Sequence, residues 1–222
     1  MGNVGLDSQR QKRIPCQLNH KQMELALKRA FDVVISGVLV VALFPLFIGV
    51  AIGIKLLDSG PVLFKQKRLG KSNKEFLIYK FRSMTPGSDI FVDANAYAQA
   101  AGDNGWEKAQ DDLRITRFGK LIRRGSLDEL PQLFNVLKGD MSLVGPRPLP
   151  PLYLDRYEEF AAIRSRMRPG ITGLWQTRNR TDTRVEAMEP HDTEYILTFS
   201  LWLDMKILIR TLAVVFASKG AC

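Results

Sequence analysis

Residues Val33 to Ile54, VVISGVLVVALFPLFIGVAIGI, form 22 consecutive positions without a charge, bracketed by Asp32 and Lys55, with Pro45 near the centre. At ~1.5 Å rise per residue, a helix of this length matches a hydrocarbon core of ~30 Å. A buried core helix is the competing reading, but a run that is apolar on every face favours insertion into lipid. The flanks restrict the topology further. Residues 1 to 31 carry six basic and two acidic side chains, and residues 55 to 82 carry eight basic and two acidic. Basic flanks favour the cytoplasmic side of a membrane, and here both flanks qualify. Pro45 removes a helical N–H and its ring clashes with the preceding turn, so the helix must kink or break there. A helix that enters, bends at Pro45 and returns satisfies both flanks; a single kinked span with one flank overruled is the alternative.

The remaining chain reads as one domain, since 222 residues with 45% hydrophobic composition suffice for a core. Residues 1–24 read as an N-terminal arm without the apolar stretch of a signal peptide or a myristoylation signal. Residues 25–222 read as a single domain, with 28–58 as the membrane helix and 59–222 as the remainder. The segment PVLFKQKRLGKSNKEFLIYKF predicts a hairpin of two strands, Val62–Gln66 and Glu75–Phe81, around a basic turn. Residues 85–111 read as a loop with a short helix near Ala94–Ala101. A short amphipathic helix ends near Gly125, and a second runs through Leu137. Four prolines within residues 146–151 impose an extended, rigid path that suits the mounting of Arg147. A polar helix over Tyr153–Met167 precedes RPGITGLWQTRNRTD, read as a Gly- and Arg-rich loop of the kind that approaches phosphate. The last element, Thr198 to Lys219, reads either as a helix in the membrane interface or as a core helix. The fold class is therefore mostly α with a small β-hairpin.

A net charge of +9 requires an anionic partner or surface. Cys16 and Cys222 lie near opposite ends and form neither a disulfide framework nor a zinc spacing, which suits a reducing compartment. With His20 and His191 the only histidines, a site of several imidazole ligands is excluded, and a metal must be held by oxygen, which favours magnesium.

Chemistry concentrates in RRGSLDELPQ, residues 123 to 132. Ser126 and Glu129 match the S-x-x-E capping box, so the two acids have a purely helical reading. In a second frame Pro131 opens the helix and both carboxylates stand just ahead of it. Either way the helix dipole and Arg123 and Arg124 favour an ionised Asp128, suited to nucleophilic attack on phosphorus or to magnesium binding. Arg147 and Arg168, each beside proline, are further candidates for phosphate recognition on stiff backbone.

The stretches KRAFDVVISGVLVVALFPLF, VLFKQKRLGKSNKEFLIYKFRSM, GSLDELPQLFNVLKGDMSLVGPRP and RPGITGLWQ resemble, in order and spacing, the bacterial sugar transferase family, the monotopic polyprenyl-phosphate phosphoglycosyl transferases. The resemblance covers roughly residues 25 to 215. It implies transfer of a sugar 1-phosphate from a UDP-sugar to undecaprenyl phosphate with release of UMP, at the cytoplasmic face of the bacterial inner membrane. It implies a re-entrant N-terminal membrane helix with bend residue Pro45, and interfacial amphipathic helices. The family breaks this helix at a Ser-Pro pair, and Phe44 stands here in place of the serine. Asp128 matches the nucleophile that forms a covalent phospho-sugar enzyme; Glu129 matches the second acid, and the pair is expected to hold Mg2+. Arg123, Arg147, Arg168, Lys80 and Arg82 are the expected substrate-binding residues. Expected partners are the UDP-sugar, undecaprenyl phosphate, membrane lipid and a second copy of the chain, without nucleic acid. The competing reading is a basic, membrane-tethered binding protein for acidic lipid or nucleic acid, in which the carboxylates only cap a helix. A scaffold that docks a partner protein is a third.

Overall fold

The computed structural model describes residues 21–58, 60–87, 114–151, 157–179 and 185–216. The expected arm, up to residue 20, and the expected helix near Ala94–Ala101 lie outside them. Two helices open the fold, α1 (Gln22–Ala42) and α2 (Phe44–Leu57), bent by 61° at Leu43. Pro45 sits in the first turn of α2, where its missing N–H costs nothing, so the proline starts a new helix and does not kink one. Among the described residues no single helix is long and apolar enough to cross a membrane; the bent pair passes by length and composition.

The first half of α1 packs on protein. Lys28, Asp32 and Ser36 are buried, and Arg29 donates to the Val136 and Leu137 carbonyls at 2.6 and 3.1 Å. Leu143 N–H donates to Asp32 Oδ1 at 3.1 Å, and Lys21 donates to the Phe199 carbonyl. Beyond Asp32 the pair turns large apolar side chains outward: Val34, Val38, Val41, Phe44, Ile48, Ile52 and Leu56 are all exposed. On the inner face of α2, Val50 and Ile54 pack with Phe81 and Ile122.

The hairpin forms as expected, with β1 (Leu63–Leu69) antiparallel to β2 (Glu75–Phe81) and Phe64 opposite Lys80. The first strand continues three residues beyond the expected Gln66. Helix α3 (Arg117–Arg124) follows, capped by the Thr116 hydroxyl, which accepts from Gly119 N–H at 2.8 Å. The same hydroxyl donates to Asp58 at the end of α2, and the Phe118 ring lies against Gly53, leaving no room for a Cβ there. The returning half of the bent pair is thereby fixed to the helix that carries Arg123.

A 3-10 turn (Leu127–Glu129) leads into α4 (Gln132–Lys138), and Pro131 stands at the N-terminal boundary of α4, the second of the two frames. The capping box does not form. Ser126 adopts φ 54, ψ 22 and its side chain makes no capping bond, because the chain turns through left-handed geometry between α3 and the 3-10 turn.

RPGITG is not a loop. Gly170–Thr172 forms strand β4, parallel to β3 (Ser142–Val144), and α6 (Leu174–Arg178) follows directly. The glycines permit this pairing: a Cβ on Gly170 would collide with the backbone of Gly145, and one on Gly145 with the Arg168 carbonyl. Of the expected Tyr153–Met167 helix, residues 153–156 lie outside the described residues; the described part forms α5 (Glu158–Arg164) and stops three residues early. Two longer helices complete the fold, α7 (Val185–Thr198) and α8 (Leu201–Phe216). Helix α8 buries Asp204 and Ile207 in the fold, as a core helix does, and exposes Trp202, Ile209 and Leu212 on its other face. The main core gathers Val136, Met141, Leu143, Val144, Tyr195 and Phe199 beneath α1.

Candidate active site

The 3-10 turn presents Asp128 and Glu129 side by side. Lys80 on β2 reaches Glu129 Oε1 at 2.8 Å, an ion pair with both side chains roughly one-fifth exposed. Arg123 at the end of α3 donates from Nε to Ser83 Oγ at 2.8 Å, two residues beyond the end of β2. The edge of β2 is itself held. Asn135 on α4 accepts from Tyr79 N–H at 3.0 Å and donates to the Leu77 carbonyl at 2.7 Å, so the helix behind the carboxylates fixes the strand that carries Lys80.

The electrostatics differ from the expectation of a strongly ionised Asp128. Burial pushes the Asp128 carboxyl above the usual carboxylate value, and the neighbouring Glu129 pushes it further. Lys80, Arg123 and a backbone hydrogen bond oppose the rise without cancelling it. The acids precede a seven-residue helix, and loss of water outweighs so short a dipole. When ionised, such a carboxylate is poorly solvated and correspondingly nucleophilic.

The other candidates lie apart from the pair. Arg147 has its guanidinium over the Trp175 ring at 5.2 Å, and Arg168 donates from Nε to the Gly139 carbonyl at 2.8 Å. Arg82 is buried and donates to the Asp58 carbonyl at 3.1 Å, at the exit of α2. Of the five basic candidates, the structure brings Lys80 and Arg123 into the field of Asp128.

Among the described residues no group of three or more His, Cys, Asp or Glu side chains gathers to enclose a metal. Two adjacent carboxylates do fit magnesium, which keeps waters and takes substrate phosphates as its other ligands.

Several residues of the site's frame escaped the sequence reading. Lys28 forms a buried ion pair with Asp204 at 2.6 Å and donates to the Val144 carbonyl at 2.9 Å. Tyr195 OH donates to Asp204 at 2.8 Å, and burial with Asp204 pushes its own pKa well up. Asp192, also buried, pairs with Arg164. The available signal was the Asp192, Tyr195 spacing of three on one face of α7.

A carboxylate pair flanked by two cations, on a fold bearing a bent apolar helix pair, suits a class: proteins that handle anionic groups beside an apolar surface. The comparisons make this particular. The sequence profile described as Bacterial sugar transferase matches residues 23–218, and the chain belongs to that family. It is 42% identical over 205 residues to the UDP-N-acetylgalactosamine-undecaprenyl-phosphate N-acetylgalactosaminephosphotransferase of Aeromonas hydrophila, covering 88% of this chain and 45% of that one. Exopolysaccharide production protein ExoY of Sinorhizobium fredii is 38% identical over 197 residues, 87% of each chain. The undecaprenyl-phosphate galactose phosphotransferase of Salmonella typhimurium is 40% identical over 204 residues, 90% of this chain and 43% of that one. The chain thus spans less than half of two of these relatives and most of the third.

Proposed function

We propose that the chain is a phosphoglycosyl transferase that moves a sugar 1-phosphate from a UDP-sugar to undecaprenyl phosphate and releases UMP, initiating glycan synthesis. The observation that carries this reading is the placement of Asp128 and Glu129 between Lys80 and Arg123. The names of the relatives, which specify phosphotransfer to undecaprenyl phosphate, support it over a binding protein without turnover.

In the first step an Asp128 oxygen attacks the sugar-bearing phosphorus, the bond to the bridging oxygen breaks, and UMP leaves with the electron pair. In the second, a phosphate oxygen of undecaprenyl phosphate attacks the same phosphorus, the aspartyl bond breaks, and the carboxylate returns. Lys80 and Arg123 stabilise charge on the phosphoryl oxygens. Lys80 also holds Glu129 beside the nucleophile through their 2.8 Å ion pair. Asp128 and Glu129 would hold Mg2+, which supplies charge neutralisation of the diphosphate. One pocket serves both steps, so a single desolvated carboxylate suffices.

The α1–α2 pair belongs to the same proposal. Its bend, its outward apolar side chains and its two basic flanks suit a helix pair that dips into the inner membrane from the cytoplasmic face and returns. The outer face of α8, with Lys206 over the Trp202 ring at 5.3 Å, suits the interface. An impermeant thiol reagent applied to sealed vesicles tests the topology: Cys16 is labelled from the side that exposes the catalytic part, whereas a single span puts Cys16 on the other side.

The activity is tested by UMP release from a panel of UDP-sugars with undecaprenyl phosphate and magnesium. At least one sugar nucleotide releases UMP, and release stops on chelation of the metal. Absence of release across the panel overturns the reading.

A further inference from the structure

We infer that Asp192, which contacts neither carboxylate of the site, is a positioning residue that sets the orientation of Arg147; the inference rests on the transferase reading above. The segment Val144 to Pro148 is held on both sides of Arg147, with the Pro148 carbonyl accepting from Arg68 at 3.2 Å. Val144 carbonyl accepts from Lys28 and Tyr195, Gly145 N–H donates to the Thr172 carbonyl at 2.9 Å, and the Pro146 carbonyl accepts from Gly170 N–H at 2.9 Å. Pro146 and Pro148 have no N–H, so Arg147 carries the one backbone donor between them. That donor goes to Asp192 Oδ2 at 3.3 Å.

Asp192 is well placed to impose direction. It is 1% exposed, and the same Oδ2 accepts from Arg164 Nε at 3.1 Å, so its carboxylate is locked from a second side. Its Oδ1 finds no hydrogen-bond partner among the described residues. A carboxylate selected for stability alone would have both oxygens satisfied. Arg147 is meanwhile left available: its guanidinium rests on the Trp175 face, and among the described residues no carboxylate lies within ion-pairing distance of it. The flanking prolines stiffen the loop, Asp192 fixes the rotation of the single free peptide, and Trp175 supports the side chain. Together they hold a guanidinium preorganised to receive an anionic group at little ordering cost.

The test compares steady-state UMP release by wild type, Asp192→Ala, Asp192→Asn, Arg147→Ala and Asp192→Ala/Arg147→Ala. Asp192→Ala raises KM for the UDP-sugar about ten- to a hundredfold. Asp192→Asn keeps an acceptor for the Arg147 N–H and stays within about threefold of wild type. In the Arg147→Ala background, Asp192→Ala adds less than about twofold, because the group it positions is gone. Arg164→Gln removes the second lock on the Asp192 carboxylate but leaves the bond to Arg147; it lowers thermal stability and raises KM by less than Arg147→Ala does, and it keeps the test open if Asp192→Ala does not fold. Full additivity of the double variant, or a KM rise in Arg164→Gln equal to that in Arg147→Ala, overturns the inference. Absence of turnover in the wild type overturns the transferase reading instead.

Discussion

Lys28 is one of the residues that lock the apolar helix pair to the rest of the protein, and its removal has a calculable cost. In Lys28→Met a side chain of similar length replaces the ammonium that lies 2.6 Å from Asp204 Oδ2 and 2.9 Å from the Val144 carbonyl. Val144 keeps Tyr195 as a donor, so the main loss is the counter-charge of Asp204. Removing one partner of a buried pair costs ~3–5 kcal/mol. For a chain of this size that lowers Tm by ~6–20 °C, at ~2–4 °C per kcal/mol. The deficit depends on pH in a defined direction. Burial already holds the Asp204 carboxyl above its usual value, and without Lys28 it rises further. A carboxyl that binds its proton more tightly when folded favours folding at low pH and loses that advantage as pH rises through its folded value. The Lys28→Met deficit is therefore smallest in acid and grows toward neutrality. Lys28→Met/Asp204→Leu recovers most of the loss, because an apolar replacement of a whole buried pair is often close to neutral. Thermal unfolding in detergent, followed by tryptophan fluorescence at two pH values, measures all of this. A single variant within ~0.5 kcal/mol of wild type, or a double variant whose losses simply add, refutes the reasoning.

Three further outcomes follow from the site. Lys80 lowers the Asp128 pKa and Glu129 raises it, so the acid limb of UMP release moves to higher pH in Lys80→Met and to lower pH in Glu129→Gln; shifts of the same sign contradict the assignment. Asn135→Ala leaves the Tyr79 N–H and the Leu77 carbonyl without their partner and costs ~2–4 kcal/mol, measured by thermal unfolding; a loss below ~0.5 kcal/mol contradicts it. Gly170→Ala drives a methyl group into the Gly145 backbone and separates β3 from β4, seen as loss of near-ultraviolet dichroism; retained stability contradicts the close pairing.

The hairpin and the Asp128, Glu129 pair were legible in the sequence because their signals are local: two strands of adequate length around a polar turn, and two acids beside arginines. The β3–β4 pair was not, since three-residue strands are too short to show a period and the contact joins positions 28 residues apart. RPGITG reads as a loop by its glycines, whereas Gly170 lies where a Cβ would meet the Gly145 backbone. Charges misled in a related way. Lys28 and Arg29 counted only as part of a basic flank, yet their partners, Asp204 and the carbonyls of α4, come from distant elements that no window of sequence contains. Ser126 matched a capping box by spacing, while its left-handed backbone depends on how α3 and α4 meet.

The central claim is that Asp128 attacks phosphorus and carries the sugar phosphate between the two substrates. Its most direct test is incubation with a turned-over UDP-sugar and magnesium, without undecaprenyl phosphate, followed by UMP measurement and mass spectrometry of the chain. Wild type releases up to about one UMP per chain and gains the mass of one sugar phosphate on the peptide that contains Asp128, whereas Asp128→Asn does neither. UMP release by Asp128→Asn near the wild-type level, or an adduct on a different residue, would contradict the account.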